Sequence, residues 1–244
     1  KLEEPHRVFA SAIGDSADWD YSIVTTGGAY TNTGSDGGIL GEPALAAISH
    51  HSTILLVGGP TSIVSYRGNP RTGGVQKISE LGPLMQSAWC KAGKDNATYM
   101  VTPLGLYKIA AGAAVAPTPV SREIPNELIG LNPYIGDKVA IGYDTRWDML
   151  HIFVDPNTGD SYSWAYKLPD ETIGYPGGFF PQEFTGSYHL AANFPEIQTD
   201  DLSSIIVVKS DATAYTFDRD EDVEFDSYMF LGPFRVGDAM HEGM

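Results

Sequence analysis

The chain has 244 residues, 42% of them hydrophobic and 19% charged, which is a globular and not a disordered composition. Its formal net charge of −16, from 31 acidic against 15 basic residues, repels phosphate and argues against sequence-reading of nucleic acid and against docking on anionic membranes. A single cysteine, Cys90, excludes an internal disulfide and cysteine-rich zinc sites.

Taken in chain order, the apolar residues of Arg7–Ile13 predict a first strand. The Gly-, Ser- and Thr-rich stretch Gly27–Gly41 predicts a surface loop or arm. From Ala44 to Pro125 one unit recurs: an edge strand, an apolar strand, a turn, and a second apolar strand. Its first copy is Ala44–Ser49, Thr53–Val57, the hinge Gly58-Gly59-Pro60, and Ser62–Arg67. Its second is Ser87–Lys91, Thr98–Val101, the hinge Pro103-Leu104-Gly105, and Leu106–Ala110. This is how a small antiparallel sheet is written, and its recurrence predicts sheets arranged as blades. Ile124–Ile129 is the one helix-like stretch, with Pro125 suited to a first turn. Further strands are predicted at Lys138–Tyr143, Met149–Val154, Ser161–Lys167, Tyr188–Ala192, Ser204–Lys209, Ala212–Phe217 and Phe225–Leu231. Asp155–Asp160 is a hairpin connection, since Pro156 presets φ and Asn157 and Gly159 tolerate positive φ. Leu168–Thr185 reads as a second irregular loop. Its Gly177–Pro181 core is apolar enough to pack on the sheets or on a neighbouring subunit, and packing within the chain is the expected case.

The expected fold is therefore all-β with little helix: a single propeller-like domain over 1–244, with irregular loops 27–41 and 168–185. At about 40–50 residues per blade the length corresponds to about five blades. Closure of Phe225–Leu231 against Arg7–Ile13 would remove the open sheet edges that invite aggregation, and stacked sheets without closure are the alternative. The first residue is Lys1 and not Met, so the expectation is a fragment or processed chain. No stretch reads as a signal peptide or as a bilayer-spanning segment.

No convincing catalytic, cofactor or metal constellation emerges. Gly14-Asp15-Ser16 and Asp238-Ala239-Met240-His241 imitate the first and last blocks of GDS-type esterases, in which an aspartate-oriented histidine activates serine. The chain lacks the long helices and the Gly-x-Asn-Asp block that would accompany them. The acidic run Asp218, Asp220, Glu221, Asp222, Glu224 and Asp226 could offer oxygens to calcium but lacks EF-hand spacing, and a solvated turn explains it better. His50 and His51 are adjacent, so in a strand their rings point to opposite faces. His6, His151 and His189 are isolated, and His151 beside Ile152-Phe153-Val154 reads as an ordinary strand histidine. Gly34, Gly37, Gly38 and Gly41 lack the strand-to-helix context of a dinucleotide loop. Trp19, Trp89, Trp147 and Trp164 fall in separate units and are expected in cores. Cys90 reads as a buried small hydrophobe, and Asn96-Ala97-Thr98 as a turn as readily as a glycosylation sequon.

Several stretches in sequence order resemble the β-propeller of tailed-bacteriophage virion proteins. They are Arg7-Val8-Phe9-Ala10-Ser11 leading to Gly14-Asp15 and Asp18-Trp19-Asp20, then Gly41–Leu45, Ile54–Val57 and Ser62–Pro70. Ile78-Ser79 with Gly82, Thr102–Tyr107, Ser121-Arg122 with Ile124-Pro125 and Leu128, Phe179–Pro181 and Tyr228–Pro233 follow. Members are tail-nozzle, tail-tube, head–tail connector or packaged-DNA-stabilisation proteins. The resemblance implies a structural role without enzymatic activity or cofactor, a homo-oligomeric ring contacting other tail proteins, DNA at most in passage, and a place in the virion after assembly in the host cytoplasm. A receptor- or glycan-binding propeller is the alternative. The binding patches expected are the two loops, 27–41 and 168–185.

Overall fold

The structure is a computed structural model and describes residues 9–12, 15, 17–22, 30–31, 42–68, 74–92, 96–145, 147–182, 188–193, 205–209 and 214–216. It is all-β, with two single 3-10 turns as its helical content among the described residues. A two-stranded pair, β1 (Phe9–Ala10) and β2 (Tyr30–Thr31), precedes the first four-stranded sheet: β3 (Ala46–His51), β4 (Ile54–Gly59), β5 (Ser62–Arg67) and β6 (Gly74–Ser79). The second sheet is β7 (Trp89–Ala92), β8 (Ala97–Thr102), β9 (Gly105–Ile109) and β10 (Thr118–Pro119). The third is β11 (Lys138–Asp144), β12 (Met149–Asp155), β13 (Tyr162–Lys167) and β14 (Gly178–Gln182). A three-stranded sheet follows: β15 (Tyr188–Asn193), β16 (Ile205–Lys209) and β17 (Ala214–Thr216). Each sheet is an antiparallel meander in which every strand pairs with its chain neighbour.

Burial explains why these segments are strands. β3 alternates strictly, with Ala46, Ile48 and His50 buried and Ala47, Ser49 and His51 exposed, the period of a half-buried strand. β8 is buried at all six positions, because the second sheet is covered on both faces. Its Tyr99 and Val101 join Val139, Ile141, Leu150, Ile152 and Tyr166 of the third sheet in the largest core cluster. Its Met100, with Ile109, joins Ile48, Ile54, Leu56 and Ile63 of the first sheet in a second cluster. The far face of the first sheet is buried too, through Val57, Val64 and Tyr66. On the far face of the third sheet Ala140, Phe153 and Ala165 are buried, and β15 lies along β11 and β12.

The first strands of the second, third and three-stranded sheets lie together, since β15 lies along β11. β7 lies beside β11, and the segment leading into β7 ties three sheets together. The Gln86 side chain accepts from Ala47 N–H at 2.8 Å and donates to Ala47 O at 3.2 Å, which completes the open edge of β3. Ser87 O accepts from Ile141 N–H at 2.9 Å, and Ser87 Oγ donates to Val139 O at 2.6 Å. Val139 N–H reaches Met85 Sδ at 3.4 Å.

The repeated unit between Ala44 and Pro125 is realised as two successive sheets. The Asp155–Asp160 connection is a hairpin, with Gly159 at φ 106°. Four expectations need correction. The apolar core of the 168–185 stretch is strand β14, not loop: Pro181 faces Trp164 across the ladder, and proline is tolerated because β14 is an edge strand. β6 was not expected because Val75 and Ile78 pack into different clusters, so the strand buries one apolar residue on each face and shows no alternation. The short helical turn expected at Ile124–Ile129 is the 3-10 turn Asn126–Leu128, with Pro125 at its cap, but it does not stand alone, since a second turn, Pro133–Ile135, follows it. Within Gly27–Gly41, Tyr30–Thr31 pairs with Phe9–Ala10; the expected partner of the first strand, Phe225–Leu231, lies outside the described residues.

Gly105 sits at the turn between β8 and β9 with φ 102°, and a Cβ there would stand 2.5 Å from Ile124 Cγ2. Gly112 also has positive φ, at 72°, but faces open space. Gly105→Ala is expected to cost about 2–4 kcal/mol, combining backbone strain and overpacking, and Gly112→Ala about 1 kcal/mol from the backbone alone. Urea unfolding of the two variants measures this; equal losses would show that the Ile124 contact yields freely.

Candidate functional site

The connection from β10 to β11, residues 120–137, crosses one end of the molecule and binds the second-to-third-strand turn of each four-stranded sheet. Gly130 N–H donates to Pro103 O at 2.8 Å, at the β8–β9 turn. Tyr134 Oη donates to Glu42 Oε2 at 3.1 Å. Glu42 Oε1 in turn accepts from Thr61 N–H at 2.7 Å and from Ser62 Oγ at 3.2 Å, at the β4–β5 turn. Asp137 accepts from Asn132 N–H at 2.8 Å and from Asn157 N–H at 2.9 Å, the latter in the β12–β13 hairpin. Asn132 caps the second 3-10 turn, Pro133–Ile135, by accepting from Tyr134 N–H. The buried carboxylates of Glu42 and Asp137 thus serve as acceptors for otherwise orphaned backbone donors, which a buried anion requires.

This fixed backbone displays apolar side chains to solvent. Leu104 is 52% exposed, Ile129 44%, Tyr134 55% and Ile135 60%. Gly130–Pro103 bonding sets Ile129 and Leu104 close together along the chain path. Partial burial, reinforced by Glu42, raises the Tyr134 phenol above its ordinary value. Burial pushes the Tyr162 phenol up to about 12, with Glu127 and Asp137 adding to it, so neither tyrosine is an acid–base group near neutrality. The arrangement offers contact area, not proton transfer.

Two buried histidines are the other unusual groups. His50 on β3 meets Thr98 Oγ1 at 2.8 Å and Ala113 O at 2.9 Å; His51 next to it is exposed, so the two rings do point apart as expected. His151 is also buried, with Nδ1 2.9 Å from Gln182 Oε1 and Nε2 3.9 Å from Asp144 Oδ2. It sits in a polar setting on the third sheet rather than among apolar residues alone. Cys90 is buried, and burial pushes its thiol far above its ordinary value, so the buried-hydrophobe reading holds and thiolate chemistry is disfavoured. Among the described residues no group of three or more His, Cys, Asp or Glu could hold a metal ion, and no helix is long and apolar enough to cross a membrane.

The esterase candidates Ser16 and His241, the acidic run Asp218–Asp226, His6 and Gly34–Gly41 lie outside the described residues. The tryptophans divide. Trp89 and Trp164 pack against core clusters, whereas Trp19 and Trp147 are exposed, contrary to the expectation of core packing. Trp147 and Trp164 also belong to one sheet, since Trp147 lies in the turn joining β11 to β12. Asn96 is exposed with φ 52°, a turn position that asparagine tolerates. Of the two expected patches, 168–185 contributes β14 to the third sheet, and Phe179 packs against Tyr166 with ring centroids 4.7 Å apart and planes tilted by 49°; its exposed part is the turn at Ile173. Sequence reasoning missed the end built from 120–137. Its apolar residues are scattered singly, and the bonds gathering them join residues distant in the chain.

No family model, curated protein or solved structure matches the chain.

Glu42→Ala is expected to lower stability by about 2–3 kcal/mol, because the Thr61 and Tyr134 donors lose a charged acceptor, and Tyr134→Phe by about 1 kcal/mol. Denaturant midpoints give both numbers. A larger effect for Tyr134→Phe than for Glu42→Ala would refute the view that the carboxylate organises this end.

Proposed function

We propose that this chain is a structural virion protein of a bacteriophage tail or head–tail junction, a propeller of about five blades whose copies form part of a ring or nozzle through which DNA passes. The observation that carries the fold half of this reading is the succession of four-stranded meanders that share core clusters from sheet to sheet, with β7 and β15 both lying along β11. Both faces of the first sheet are buried, as a blade with neighbours on two sides requires. The pair β1–β2, the three four-stranded sheets and the three-stranded sheet supply five groups of strands.

The virion half rests on the ordered resemblance and is supported by chemistry. A net charge of −16 suits a wall along which phosphate slides without sticking. The work of the chain is shape: rigid sheets hold Leu104, Ile129, Tyr134 and Ile135 out for contact with a neighbouring copy or another tail protein. Neither catalysis nor a cofactor enters this reading.

A receptor- or glycan-binding propeller is the second reading, favoured by the exposed rings of Trp147 and Tyr134. The two separate by experiment. In the assembly reading, negative-stain images of the purified chain contain rings. Raising salt to about 1 M, where the Debye length falls to about 3 Å, increases the assembled fraction by screening repulsion between copies. Leu104→Glu with Ile135→Glu leaves the circular dichroism spectrum unchanged and yields a monomer by light scattering. A wild-type chain that stays monomeric at every concentration and salt tested would end the ring assignment.

A further inference from the structure

We infer that His50 makes the joint between the first and second sheets acid-sensitive: the neutral ring pins the β9–β10 loop and β8 onto β3, and protonation releases them. Ala113 O can only accept, so Nε2 carries the proton and donates to it, while Nδ1 accepts from the Thr98 hydroxyl. One uncharged imidazole therefore bridges three elements: β3, β8 of the second sheet, and the loop after β9. The ring is 2% exposed, at the margin of the cluster formed by Ile48, Ile54, Leu56, Met100, Ile109 and Ala114.

A proton added at Nδ1 removes the acceptor that Thr98 uses. The new N–H then points at Thr98 Oγ1, whose own proton must find another acceptor in a buried site. Among the described residues the cation also lacks help from charge. The charged group acting on it from β7 is Lys91, the cross-strand partner of Thr98, and His51 is its neighbour on β3. From β5, Arg67 donates to Ala114 O at 3.4 Å, one residue beyond the His50 acceptor. Thr98 and the Ala110 and Ala113 carbonyls are the remaining groups facing the ring among the described residues. Burial, the largest cause, holds the imidazole below its ordinary value, outweighing the carbonyls that favour the charged form.

The sign follows from linkage. The opened joint exposes His50, which then titrates near its ordinary value of 6.5, so the open form binds more protons. The stabilisation is complete above that pH and is lost as pH falls toward the lower value of the closed form, with opening rising by up to about tenfold per pH unit in between. This device operates independently of what the chain assembles with.

Hydrogen–deuterium exchange at pH 7.5 and 5.5, corrected for the intrinsic pH dependence of amide exchange, tests it in the full chain. Segments 46–51, 97–102 and 110–117 lose protection in acid, while 149–154 of the third sheet changes less. His50→Gln, whose amide can donate to Ala113 and accept from Thr98 without titrating, abolishes the difference between the segments. An acid response in His50→Gln equal to that of wild type would overturn the proposal. So would an assigned His50 ring resonance in the wild-type chain titrating at or above 6.5, a readout that does not depend on the variant folding.

Discussion

Every β-sheet has two edges, and the edge of a first strand carries backbone groups that must find partners. In this chain the three-residue segment Met85-Gln86-Ser87 solves that problem for two sheets at once. Gln86 imitates a strand, giving a donor and an acceptor to Ala47 of β3, while the Ser87 backbone and hydroxyl serve β11. The chain then enters β7, which lies against β11. This segment helps set the placement of the three four-stranded sheets, because it bonds to the first strands of the first and third and leads into that of the second. Burial on both faces of the second sheet is a consequence: once its inner edge is fixed, Tyr99 and Val101 face one neighbour and Met100 the other.

The outer end of the molecule is organised by the same economy of hydrogen bonds but with carboxylates in place of amides. Glu42 and Asp137 are buried, and each receives backbone donors from turns. A carboxylate accepts several bonds at once, so one side chain can hold a turn of one sheet against a segment crossing from another. The result is a rigid backbone under Leu104, Ile129, Tyr134 and Ile135. Rigid presentation matters for a docking function, because side chains already fixed in place lose less entropy on binding.

Local features were legible in the sequence. Ile54–Val57 reads as a strand because β-branched and apolar residues run without interruption between turn formers, and Asp155–Asp160 as a hairpin because Pro, Asn and Gly occupy the positions their backbones prefer. β14 was hidden by the opposite signals, Gly177 before it, Gly178 opening it and Pro181 within it, and its position as an edge strand reconciles them. The candidate site was not legible at all. His50 finds Ala113 across 63 residues, and Tyr134 finds Glu42 across 92. No periodicity encodes such pairs, since each partner taken alone is an unremarkable polar residue in a turn or strand.

The charge of the chain bears on both ends of this picture. With 31 acidic residues against 15 basic ones, most carboxylates have no cation to pair with, and the two at the 120–137 end are held by neutral donors instead. Neutral donors leave the negative charge in place, so copies of the chain repel one another over about a Debye length. Any association between copies must then draw on apolar contact, which acts at short range and is indifferent to charge. Exposed Leu104, Ile129 and Ile135 on a surface otherwise rich in acid are the residues that could supply it. Scattered singly they would need no explanation; the Gly130–Pro103 bond brings the Ile129 and Leu104 segments together, and with Ile135 on the same connecting segment they offer apolar area to set against the repulsion the rest of the chain creates.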